Sequence, residues 1–273
     1  AKECFVNCMS LQEIELPEGL EEIGESAFEG CSSLKRIVIP EGVRSIREKT
    51  FCECTALQEI RLPEGLKEIG SDAFSSCRSL RQITIPAGVK CIESGTFWKC
   101  TALQEVHLPE ELEQIGMFAF EACDTLTRIV LPASLKRLWR GAFENCTSLL
   151  EAQLPDGLEE LQDDAFEYCR SLQKVTIPAQ VRQIEQAAFY YCQSLQEVQL
   201  PEELNEIGED AFAHCWALKR IVIPAGVEKV GEHAFWECYS LQNIAVLSDG
   251  TEIAEDAFED CPGTVKRGTG SLF

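Results

Sequence analysis

Fifteen cysteines and three histidines are the side chains of this 273-residue chain suited to metal binding or nucleophilic catalysis, and 46 Asp and Glu residues could supply acid and base pairs. Twelve of the cysteines, from Cys8 through Cys31 and Cys54 to Cys261, recur every 23 residues. Their number suggests a disulfide framework or zinc, but the spacing argues against both. Thiols one step apart on stacked repeats point the same way, not at each other as a disulfide needs. No Cys-x-x-Cys occurs, so tetrahedral zinc is not favoured. The expectation is a reduced ladder of thiols on the buried side of each repeat, acting as small hydrophobes. Cys52 and Cys91 fall at positions otherwise polar and are expected to be exposed, which points to a reducing or anaerobic setting.

The other reactive groups form no constellation. His107, His214 and His233 occupy three different repeat positions, and neither H-x-x-x-H, G-x-S-x-G nor a glycine-rich phosphate loop is present. His214 precedes Cys215, but that cysteine is a core position. Acidic pairs such as Glu21 and Glu22 or Asp163 and Asp164 come in copies along a solvated edge, whereas acid-base catalysis needs a unique, desolvated pair. The chain therefore reads as no enzyme, with no catalytic residue, no cofactor and no metal.

What positions these residues is an exact repeat. Leu recurs at 11, 34, 57, 80, 103, 126, 149, 172, 195, 218 and 241, Phe from Phe5 to Phe258, and Pro from Pro17 to Pro224, all in steps of 23. Written from its Leu, the repeat is L-x-x-I-x-L-P-x-x-L-x-x-I-x-x-x-A-F-x-x-C-x-x, clean in Leu57 to Cys77. The first six positions alternate apolar and polar, which predicts a strand burying one face. Pro closes it because it cannot donate to a ladder. A second short extended piece, L-x-x-I, follows, and A-F-x-x-C suits one helical or 3-10 turn turning Phe and Cys into one core. One such unit cannot close a core, but stacked units can. Eleven parallel rungs about 4.8 Å apart would make a sheet on the order of 50 Å long.

This pattern resembles the BspA-like, or Treponema pallidum-type, leucine-rich repeat family through I-x-x-I-G-x-x-A-F-x-x-C-x-x-L-x-x-I-x-I-P, from Cys4 to about Cys261. Gly24, Gly70, Gly116, Gly208 and Gly231 keep the I-G position, and Arg47, Glu93, Trp139, Gln162 and Glu185 replace it. The resemblance implies a β-rich, horseshoe-like α/β solenoid with a parallel concave sheet and short extended and 3-10 or helical turns on the convex side. It also implies a microbial cell-surface or secreted protein serving attachment and ligand recognition, with no shared active site. A single solenoid domain is expected over residues 1–273, with 1–10 a partial repeat, 11–263 the repeats and 264–273 a terminating segment where Thr264 and Arg267 replace Leu and Ile. The mid-repeat start fits a fragment boundary or a minimal cap.

A 46-residue period overlies the shorter one. The third strand position reads Glu13, Arg36, Glu59, Gln82, Glu105, Arg128, Glu151, Lys174, Glu197 and Arg220, a charge ladder whose main effect is on register. Such uniformity fits recent duplication or consensus design. The net charge of -22 would repel nucleic acid and anionic membranes. No apolar run reaches the roughly 18 residues of a membrane helix, and no signal-peptide layout opens the chain. The chain reads as a soluble monomer, without membrane insertion, in which a cytoplasmic or other reducing compartment is the alternative to the cell surface.

Departures from the repeat mark candidate binding residues. All four Trp, including Trp139, and all four Tyr sit at positions that elsewhere hold Glu, Ser, Lys or Thr. Tyr168, Tyr190, Tyr191, Trp216, Trp236 and Tyr239, with His214, occupy the two residues between Phe and Cys or the one after Cys, so stacking would align them in a ridge; Trp98 joins them as a candidate. Tyr and Trp are favoured at binding hot spots, although such rings can equally lean on one another as surface cover. A second candidate is the fifth strand position on the concave face, Glu15, Arg61, His107, Gln153 and Gln199, which alternates with Val38, Thr84, Val130, Thr176 and Val222. The expected function is non-enzymatic binding or adhesion toward a protein ligand, for which an acidic surface favours a basic partner. A purely structural array or designed scaffold is the alternative.

Overall fold

A computed structural model describes residues 2–268. The chain divides into two compact units, residues 1–135 and 136–273, and each is a solenoid of parallel strands stacked in steps of 23 residues. In unit 1 the longer strands run Arg36–Val38, Glu59–Arg61, Gln82–Thr84, Glu105–His107 and Arg128–Val130. Arg36–Val38 pairs in parallel with Glu59–Arg61, and Gln82–Thr84 with Glu105–His107, with residues 23 apart opposed, as in Ile37 with Ile60 and Ile83 with Val106. In unit 2 the corresponding set is Glu151–Gln153, Lys174–Thr176, Glu197–Gln199, Arg220–Ile223, Asn243–Val246 and Thr264–Arg267. Three-residue members bury their middle residue and expose the flanking two, the alternation read from the repeat. A second, two-residue strand follows each proline turn, as at Glu68–Ile69 and Glu206–Ile207.

Two expected strands differ. Residues 11–16 form no strand, although Lys35 N–H still donates to Gln12 O at 3.1 Å. At the other end Thr264–Arg267, expected to terminate the array, pairs along Asn243–Val246 in a step of 21 residues, Asn243 opposite Thr264. Gly263 permits the shortcut, since a Cβ there would lie 2.6 Å from the carbonyl oxygens of Leu241 and Gln242. The remainder of the expected terminating segment, 269–273, lies outside the described residues.

The core is a column of identical side chains. Phe28, Phe51, Phe74 and Phe97 in unit 1 and Phe166, Phe189, Phe212 and Phe235 in unit 2 are fully buried. Successive rings stack 5.0–5.5 Å apart and nearly parallel. Beneath them the thiols form their own ladder: each donates to the Phe carbonyl of the preceding rung, as Cys54 to Phe28 O at 3.1 Å and Cys192 to Phe166 O at 3.2 Å. Ten cysteines are buried and all fifteen are free. Four placements depart from expectation. Cys8 is exposed and Cys261 half-buried, because each has a stacked neighbour on one side only; Cys52 and Cys91, expected on the surface, are half-buried.

The A-F-x-x-C segment is neither helical nor 3-10 among the described residues. Alternate N–H groups turn away from the local chain: Asp72, Phe74 and Ser76 donate to Ser94, Thr96 and Trp98 of the next rung at 2.6–2.9 Å, while Ala73, Ser75 and Cys77 bond three residues back. A helix would send every N–H along its own axis. The price is a left-handed residue on either side of each Ala-Phe pair, such as Asp72 (φ 55) and Ser76 (φ 59), a conformation disfavoured outside glycine and held here by the inter-rung bonds.

Candidate functional site

The second left-handed position of each rung, just before the core cysteine, builds the site in unit 2. Tyr168, Tyr191, His214 and Glu237 occupy it on four successive rungs, with φ between 54 and 59. Each is fixed by its N–H to the next rung: Tyr168 to Tyr190 O, Tyr191 to Ala213 O, His214 to Trp236 O and Glu237 to Glu259 O, at 2.7–3.0 Å. The side chains therefore leave the backbone alike and stack at rung spacing.

The result is a continuous run of ring contacts. Tyr168 meets Tyr191 at 5.1 Å and Tyr190 edge-on at 5.7 Å. Tyr191 meets His214 at 4.1 Å and Trp216 at 6.1 Å. His214 meets Trp236 at 4.6 Å, and Trp216 meets Tyr239 at 6.3 Å. The ridge read from the sequence is thus assembled, and its rings also cover one another. Trp216 and Tyr239 remain 38% and 52% exposed. Arg170 lies over Tyr168 at 5.7 Å, and burial among neighbouring tyrosines pushes the Tyr190 hydroxyl up to about 12.

His214 lies at the centre, only 4% exposed. Its Nδ1 stands 2.9 Å from Glu237 Oε2, at ion-pair distance but without hydrogen-bond alignment. The Glu237 carboxylate is in turn the main reason the Tyr239 hydroxyl is raised to about 12. The neighbouring Cys215 thiol points elsewhere, to Phe189 O at 3.4 Å, so the two adjacent residues make no dyad. Among the described residues no set of three His, Cys, Asp or Glu side chains converges as a metal site.

Trp98 belongs to unit 1 and keeps separate company. Lys99 Nζ sits 4.0 Å above its ring centroid; burial raises the Glu121 carboxyl of the next rung, while the indole, a donor only, and Lys99 act to lower it. The other candidate surface is present as read: Arg61, His107, Gln153 and Gln199 project from strands with Glu15 equally exposed. His107 Nε2 lies 3.1 Å from Glu105 Oε1, and Thr176 hydrogen-bonds Gln199 at 3.4 Å. Alternate rungs carry valine or threonine there, and the valines are exposed, Val38 by 61% and Val130 by 67%. The charge ladder appears as spaced ion pairs, Arg36 with Glu13 at 3.5 Å and Glu197 with Lys174 and Arg220 at 3.6 Å. A stronger ladder that sequence reading missed lies on the two-residue strands and the residue after them, where Arg47 reaches Glu22 at 2.9 Å, Arg137 reaches Glu160 at 2.9 Å and Lys229 reaches Glu206 at 3.1 Å. The same 46-residue alternation, followed at position 12 or 14 of the repeat, was the available signal.

A model of the BspA type leucine-rich repeat region (6 copies) matches residues 1–102, 68–196 and 159–266. The chain belongs to the BspA-type leucine-rich repeat family. Among solved structures it is similar to a leucine-rich repeat protein from Bacteroides ovatus, at 29% identity over 98% of this chain and 81% of that one, TM-score 0.69. It is also similar to a leucine-rich cell surface protein from Faecalibacterium prausnitzii, at 30% identity over 93% and 78%, TM-score 0.59. The pneumococcal vaccine antigen PcpA, at 20% identity over 93% and 75% with TM-score 0.59, shares the fold. No curated protein matches. No described helix is long and apolar enough to cross a membrane.

Proposed function

We propose that this BspA-type array is a non-enzymatic binding module of a bacterial surface or secreted protein, and that it engages a protein ligand through the aromatic ridge from Tyr168 to Tyr239. The carrying observation is the run of ring contacts that ends in two exposed rings, Trp216 and Tyr239. Large, rigid rings bury much area at small entropic cost, and an anchor of this type is worth about 2 kcal/mol or more. The relation to a Faecalibacterium prausnitzii cell surface protein supports the location. The strand face with Val38 and Val130 is the second reading, favoured by two valines more than half exposed.

The test is affinity for a partner recovered by pull-down, measured with two variants of the whole chain. Replacing Tyr190, Tyr191, Trp216 and Trp236 by Ser should abolish binding while unfolding stays cooperative. Replacing Arg61, His107 and Gln153 should have the smaller effect. A loss confined to the second variant moves the site to the strand face, binding unchanged in both rules out the two surfaces alike, and the absence of any partner leaves the array as a structural spacer.

A further inference from the structure

The ridge contains a charge-altered copy of a site that the chain fills by itself elsewhere. In unit 1, Lys99 Nζ lies 4.0 Å over the Trp98 ring, and both residues act to lower the Glu121 carboxyl of the next rung against the rise that burial causes. Trp98 and Lys99 are the two residues between Phe97 and Cys100, and Glu121 follows Phe120 on the next rung. In unit 2 the same repeat positions hold Trp236, Glu237 and Glu259. Lys99 and Glu237 share the left-handed backbone, φ 56 and φ 54, so the two side chains depart in the same direction. The aromatic surface is kept and the cation is exchanged for a second carboxylate.

The surroundings of Trp236 deepen the imbalance. Asp256 and Glu259 lie 3.4 and 3.8 Å from His233 Nε2, and Asp260 is close enough to bear on the Tyr239 hydroxyl. Among the described residues, the basic groups at ion-pair distance from these carboxylates are His214 and His233. The buried His214 Nδ1 has no aligned hydrogen-bond partner even with Glu237 Oε2 at 2.9 Å, and a carboxylate has about four lone-pair sites, so Glu237 can accept a donor from outside beside its neighbours His214 and Tyr239. Trp216 and Tyr239 stand exposed beside it.

We propose that Trp236, Glu237 and Glu259, flanked by Tyr239, seat an arginine side chain from a basic segment of the protein partner. A planar guanidinium can lie on an indole while forking two N–H groups to a carboxylate, which takes the place that Lys99 fills over Trp98. The assignment rests on the ridge being the partner-binding surface and adds the chemistry of what is bound.

A short labelled peptide of alternating glycine and arginine, and the same peptide with citrulline for arginine, are titrated against the full chain at low ionic strength by anisotropy and Trp emission. The arginine peptide should bind at least about tenfold more tightly than the citrulline one. Glu237→Lys, which restores the filled arrangement at a backbone position that already accepts lysine in Lys99, should weaken it by about tenfold or more. Glu64→Lys, an equal change of net charge on an exposed turn of unit 1, should alter it less than about threefold. If Glu237→Lys proves unstable to heat, Glu237→Gln carries the test and should still weaken binding. Unchanged affinity in the Glu237 variants, or equal losses in the Glu237 and Glu64 variants, overturns the arginine seat. The ridge reading fails separately: if the serine variant of the ridge loses the pulled-down partner while Glu237→Lys keeps it, only the arginine assignment falls.

Discussion

At the scale of single residues, the cysteines show how a reactive group is made structural. Cys77, Cys100, Cys169 and Cys192 are enclosed, and burial pushes their thiols well above the usual value; Cys52 is raised to about 11 and Cys91 to about 12 by the same cause. Reactivity belongs to the thiolate, so a thiol reagent at pH 8 should label the exposed Cys4 and Cys8 first, and the ten buried thiols only on unfolding. Titration in denaturant without reductant should then count nearly all fifteen, and six or more disulfides would sink the ladder. The raised values also set a pH dependence. A group that holds its proton more tightly when folded stabilises fully below its unfolded pKa, about 8.5 for a thiol, and that contribution is lost as pH rises toward the folded value. The urea midpoint should therefore fall between pH 8.5 and about 11, and a flat profile there would contradict the buried-thiol account.

At the scale of elements, the wall of turns and the phenylalanine column are one structure, since the Phe N–H donates to the next rung while its ring stacks on the next ring. A residue in mid-column has neighbours above and below. Phe74→Ala should cost about 3–5 kcal/mol by urea unfolding, as truncations of buried Phe do. Phe5, half-buried and stacked on Phe28 alone, should cost much less. Equal losses would contradict stability built from nearest-neighbour terms. The alternating glycine and bulky residue after the second strand has a similar local cause. At Gly70 a Cβ would sit 2.6 Å from Glu48 N and 2.8 Å from Arg47 C, so this rung packs backbone to backbone, whereas the Arg47 rung uses its side chain to bridge Glu22 and Glu68.

At the scale of the whole chain, the net charge of -22 is the acidic excess that remains after all 24 Lys and Arg are counted, and the ion pairs those cations make are largely exposed and individually worth a few tenths of a kcal/mol. Its larger consequence is for encounter. Opposite charge steers association over a Debye length of about 10 Å at 0.1 M salt. The association rate with a basic partner should thus fall steeply as ionic strength rises, while dissociation, governed by the ring anchors, should change little; stopped-flow measurement across a salt series separates the two. A rate that does not depend on salt would remove the basic partner from consideration.

The exact 23-residue step, with no insertion from Leu11 to Leu241, determined the parallel rungs, the buried Leu, Ile, Phe and Cys columns and the family before any coordinate was known, because each rung repeats one local pattern whose apolar residues must face one core. The ridge was legible for the same reason: Tyr168, Tyr191 and His214 share a repeat position, and equal positions stack. What only the tertiary structure decided depends on bonds between rungs. Local spacing in A-F-x-x-C fits a helical turn, but N–H groups drawn to carbonyls 22 residues ahead impose left-handed residues instead. The final step shortens to 21 because Gly263 admits the neighbouring strand's carbonyls. The exposure of Cys52 and Cys91 was misjudged for a related reason, since a polar position in the repeat says nothing of how far the next rung covers it. The contrast between Trp98 with its own lysine and Trp236 with two carboxylates was likewise written in the sequence as letters, and acquired meaning only from the stacking, which sets Lys99 over the Trp98 ring and leaves Glu237 on the matching left-handed position beside Trp236.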